Sequence, residues 1–62
     1  MNEEFIINML ILNQVNYQTY GEQQFYDSFE LWMNKLQQHK NFSTLEDACN
    51  YYILLGEKEQ VA

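Results

Sequence analysis

The sequence predicts an all-α fold, a small bundle of three helices over roughly residues 3–16, 22–39 and 44–55. Three observations lead there. The middle of the chain carries an apolar stripe at helical spacing. Ser43-Thr44-Leu45-Glu46 reads as a helix start. Proline is absent from all 62 residues, so nothing forbids long helices. The alternative is an α+β fold with a strand or hairpin near residues 5–20.

The first segment gives the least direction. Between Phe5 and Leu12 only Asn8 is polar, so a helix there is apolar on almost every side and belongs at the centre of a structure. With Phe5 at zero and 100° per residue, Ile7 and Ile11 fall near about 200° and 240°, with Phe5, Met9 and Leu12 near the opposite side. Val15-Asn16-Tyr17-Gln18-Thr19-Tyr20 alternates as a strand does and carries β-favouring residues. We therefore expect the helix to stop near residue 16 and residues 17–21 to form a turn, with Gly21 ending the element.

The second segment is the clearest. On a helical projection Phe25, Tyr26, Phe29, Trp32, Met33 and Leu36 gather in an arc roughly 120° wide, and Gln23, Asp27, Glu30, Asn34, Gln37 and Gln38 lie beside it. That arrangement is an amphipathic helix with one buried face.

In the third segment Ser43 is expected to cap the helix while Glu46 reaches back, the reciprocal pattern of a capping box. Asp47 adds negative charge in the first turn, where the helix dipole favours it. Leu45, Ala48, Cys49, Tyr51, Tyr52 and Leu55 share one side. Gly56 is the expected stop, and residues 57–62 are expected to fray.

The chain makes one domain, 1–62, and its core is marginal for its size. Cys49 is the single cysteine, so no disulfide forms within the chain. Such a thiol is usually a small buried hydrophobe and suits a reducing compartment. Nine acidic residues against three lysines give a net charge of −6. Lys35, Lys40 and Lys58 are scattered and Arg is absent, which argues against direct binding of DNA or RNA, because phosphates are held by clustered cations. An anionic membrane surface is disfavoured for the same reason. The apolar N-terminal run superficially resembles a signal sequence, but its Asn2-Glu3-Glu4 flank is acidic where a signal peptide is basic, and it is too short to span a bilayer. Asn41-Phe42-Ser43 matches the glycosylation pattern by chance. A cytoplasmic location is the expectation.

No catalytic constellation emerges. His39 sits among Gln37, Gln38 and Lys40, a solvated setting, while Cys49 falls on the apolar side of its helix, so a thiol–imidazole pair is not expected. Four metal ligands at close spacing are missing, so no metal or other cofactor is expected. Glu3-Glu4, Glu46-Asp47 and Glu57/Glu59 lie at helix starts or in the tail, where acids are structurally favourable or simply exposed. The expected function is that of a small acidic protein-binding regulator, an inhibitor or adaptor with a protein partner. Composition resembles that of accessory proteins of AT-rich bacteria and their phages. One version is DNA mimicry on a basic nucleic-acid-binding protein, with Glu22, Asp27, Glu30, Glu46 and Asp47 as the mimicking acids. The leftover apolar residues Ile7, Ile11, Leu31 and Leu54 are the candidate contact surface. The alternative function is a self-associating structural subunit, the bundle being completed in a homo-oligomer.

Overall fold

The computed structural model describes residues 2–61, with side chains from Asn2 to Glu57. Three helices follow one another: α1 (Glu3–Tyr20), α2 (Gln23–Lys40) and α3 (Leu45–Val61). The all-α expectation holds, and among the described residues there is no strand. None of these helices is long and apolar enough to cross a membrane.

Each helix begins and ends for an identifiable reason. The Asn2 side chain accepts a hydrogen bond from the Phe5 amide at 2.8 Å, and Glu3 and Glu4 occupy the first turn of α1, where the helix dipole favours acids. The helix then runs four residues past the expected end at residue 16, so Tyr17–Tyr20 are helical rather than part of a turn. A strand needs a partner to pair its backbone. With none beside it, the Val15–Tyr20 alternation loses to continued helical hydrogen bonding. Gly21 stops the helix in the left-handed conformation at φ 67°, its amide donating to the Tyr17 carbonyl at 2.7 Å. Only Gly21 and Glu22 separate α1 from α2, which forces an antiparallel hairpin. At the end of α2, Asn41 is left-handed at φ 59°. The amides of Asn41 and Phe42 donate to the Gln38 and Gln37 carbonyls, a Schellman closure that turns Phe42 onto the core.

Two expectations for α3 need correcting. The cap is Thr44, not Ser43: its Oγ1 accepts from the Asp47 amide at 3.1 Å, so the pattern is displaced by one residue and Asp47 takes the position expected of Glu46. Gly56 does not end the helix, whose backbone continues to Val61. Glycine lowers helix stability by about 1 kcal/mol relative to alanine but breaks nothing by itself, and no proline follows to enforce a stop. The backbone is helical over 57–61, and Ala62 lies outside the described residues.

The core is small and lies to one side. Ile6 and Leu10 from α1, Met33 and Leu36 from α2 and Ala48 from α3 are buried, with Ile7, Phe29, Trp32, Phe42, Leu45, Cys49, Tyr51 and Tyr52 packed partly against them. Asn13 is also buried and donates to the Met9 carbonyl at 2.8 Å, a bond within its own helix that satisfies its amide. α2 packs closely on both neighbours, whereas the backbones of α1 and α3 hardly approach each other. Tyr51 and Tyr52, adjacent on α3, donate hydrogen bonds to Glu3 and Gln14 of α1, residues ~16 Å apart along that helix. α3 thus runs across the hairpin rather than alongside it. The overall extents of 30 × 28 × 21 Å agree, because three aligned helices of this length would be long in one direction only.

Candidate functional site

The crossing divides the hairpin into a base and a tip. α3 covers the base with Leu45 and Ala48 and reaches the edge of the tip with Tyr52, beside Phe29, and the buried residues among those described lie in the base. The tip, from about Gln14 through the Gly21–Glu22 turn to Phe29, packs mainly on itself. Tyr17 meets Tyr26 with ring centres 5.8 Å apart, and Tyr20 meets Phe25 at 5.9 Å. Much of this apolar surface remains in solvent: Tyr20 is 65% exposed, Val15 51% and Tyr26 49%. On the overhanging half of α3, Ile53 is 54% exposed.

Between overhang and tip lies an open slot with two lobes. One, of about 520 Å³, is lined by Ile7, Ile11 and Val15 of α1 and by Tyr52, Leu55 and Glu57 of α3. The other, of about 470 Å³, is lined by Tyr17, Tyr26, Phe29, Met33, Cys49 and Ile53. Gln14, Gln18, Tyr52 and Ile53 border both, and Tyr52 is hydrogen-bonded to Gln14 there. Burial raises the Tyr52 phenol above its ordinary value, and its hydroxyl donates to Gln14.

The opposite end is closed by a polar tie that links all three helices. Glu3 accepts from the Tyr51 hydroxyl and pairs with the Lys40 ammonium at 2.9 Å. Lys40 also lies over the Tyr51 ring, 4.8 Å from its centre. The Tyr51 hydrogen bond and then the Lys40 contact hold the Glu3 carboxyl below its ordinary 4.5. The Glu3 contact raises both Lys40 and Tyr51. The signs define a pH window. A lowered carboxylate contributes stability that is present above 4.5 and lost as pH falls through its folded value. The raised Tyr51 contributes below 10.0 and its share is lost as pH rises through its own folded value. Thermal melts between about pH 7 and about pH 3 should therefore fall less steeply for Glu3→Gln than for the wild type. Parallel curves would show that Glu3 has no such role.

The structure brings together some of the residues expected to bind a partner. Ile7 and Ile11 line the first lobe. Leu31 and Leu54 are exposed, at 54% and 56%, but line neither lobe. The five acids separate into two groups. Glu22, Asp27 and Glu30 belong to the tip half of α2, while Glu46 and Asp47 open α3 just beyond the far end of α2. Tyr17, Tyr20, Val15 and Ile53 were not singled out by the sequence, because their role depends on where α3 crosses. Cys49 lines the second lobe half-buried, whereas His39 is exposed at the other end of the molecule. No three His, Cys, Asp or Glu side chains among the described residues cluster as metal ligands would. No protein-family model, curated protein or solved structure matches the chain.

Proposed function

We propose that the chain is a small protein-binding regulator, an inhibitor or adaptor, that holds part of a partner protein in the slot between α3 and the hairpin tip. One observation carries this reading: the place a third helix would fill beside the tip is empty, and its walls are apolar and tyrosine-rich. A contiguous apolar area of a few hundred Å² is where soluble proteins bind others. Tyrosine is favoured at such surfaces because its ring supplies apolar area while its hydroxyl stays hydrated. The preponderance of acids supports a protein target over a nucleic acid.

The test is affinity capture with a tagged chain, in wild-type form and with Ile11→Glu or Ile53→Glu, beside Leu31→Ser on the outer surface. All three positions are already solvent-exposed, so the variants should melt close to the wild type. A partner recovered in fixed ratio by the wild type and by Leu31→Ser, and lost with both slot variants, is the expected result. Capture that ignores the slot variants, or a monomer that captures nothing, would refute the reading.

A further inference from the structure

We infer that the slot receives an amphipathic helix of a partner protein, with an apolar stripe flanked by Lys and Arg. This rests on the protein-binding reading and narrows it to one class of occupant. The first argument concerns the backbone. Strand addition needs a sheet edge to pair with, and the described elements are all helices, whose amides and carbonyls are already bonded within themselves. A helix satisfies its own backbone and lays its apolar face into a groove of this kind. Length agrees: Ile7 to Gln18, the α1 wall of the first lobe, spans ~16 Å, about three helical turns.

The second argument is charge. From Phe5 to Asn34 there is no Lys, Arg or His, while Glu22, Asp27 and Glu30 all fall in that stretch. Glu22 and Glu30 stand one turn either side of Tyr26, a residue of the second lobe. Glu57 lines the first lobe directly. Among the described side chains the cations are engaged elsewhere, Lys35 over the Trp32 ring and Lys40 with Glu3 and Tyr51. In sequence Lys58 stands between Glu57 and Glu59, so the charge around the slot is acidic on balance. A second copy of the chain is the poorer occupant, because a two-fold interface sets the same patch against itself and would bring these acids together. Basic flanks on a foreign helix meet them with the opposite sign, which favours both encounter and register.

Three peptides of about 14 residues provide the test. One has leucines at helical i, i+4, i+7 spacing with lysine flanks. The second keeps the stripe with glutamate flanks. The third scrambles the first. Binding is read by anisotropy of a labelled peptide and, at the slot itself, by protection of Cys49 from alkylation. The lysine-flanked stripe should bind at least about tenfold more tightly than the other two, with affinity falling as salt rises. It should slow alkylation of Cys49. Ile53→Glu should abolish both effects, Glu57→Lys should reduce the lysine preference, and Leu31→Ser should change neither. Equal or better binding of the glutamate-flanked stripe overturns the basic occupant and leaves the protein-binding reading standing. If no peptide binds and sedimentation shows a dimer that Ile53→Glu dissociates, the slot belongs to a second copy and both readings fall. A monomer that binds none of the three also overturns the inference, and the capture experiment then decides the broader reading.

Discussion

Leu36→Ala should remove about 2–5 kcal/mol of stability and leave much of the chain unfolded at room temperature. Leu36 is fully buried in the core where all three helices meet, beside Ile6, Leu10, Met33 and Ala48. Three carbons are lost there, and the neighbours lie on three different helices, so no single side chain can swing in to fill the space. A domain of this length has a total stability of roughly 3–9 kcal/mol. One truncation thus takes from about a fifth of it to all of it. Leu31→Ala, on the same helix but exposed, should stay within about 0.5 kcal/mol of the wild type. Urea unfolding followed by far-ultraviolet circular dichroism compares the two. If Leu36→Ala unfolds at the same midpoint as Leu31→Ala, the core has been placed wrongly.

Ala48→Leu acts in the opposite sense, by adding volume where none is available. Ala48 is fully buried, and its small side chain lets α3 sit close on the hairpin base. Cores overfilled in this way lose about 1–3 kcal/mol. Here the strain has an outlet, since the backbone of α3 hardly approaches α1 and the helix can tilt. The expected result is therefore a lowered melting temperature together with faster alkylation of Cys49, one residue further along. Unchanged stability and unchanged thiol reactivity would show that α3 does not dock through Ala48.

The second helix was legible because its sequence is strongly two-sided. Met33 and Leu36 are buried and Phe29 and Trp32 partly so, as the stripe requires. The stripe continues through Phe25 and Tyr26, yet Tyr26 is exposed, because periodicity gives a face and not how far along it a neighbour reaches. Trp32 reads as core but is only half-buried, with Phe5 edge-on at 5.6 Å and Lys35 over its ring. In the first helix apolar residues lie all round, so the projection could not select a side. The buried positions are Ile6, Leu10 and Asn13, one of them polar, and not the Ile7–Ile11 side or the Phe5–Met9–Leu12 side. Ile7 and Ile11 were nevertheless usable as candidates for contact, since a helix with so many apolar faces exceeds what two neighbours can cover. The slot itself was not legible. It arises from the angle at which α3 crosses, set by contacts of Ala48, Tyr51 and Tyr52 with residues distant in the chain.

The short turn at Gly21–Glu22 has a consequence for how the molecule assembles. α1 and α2 are neighbours in sequence and pack on each other more extensively than either packs on α3, so the contacts between them close small loops. Proteins dominated by such local contacts fold in microseconds to milliseconds. The hairpin is expected to form first, with α3 docking onto its base afterwards. Amide hydrogen exchange would record that order as a gradient, with slow exchange around Leu10 and Leu36 and faster exchange along α3 beyond Tyr52. A helix seated in the slot would brace that outer half of α3, so the slowing of those particular amides would report occupancy without any label.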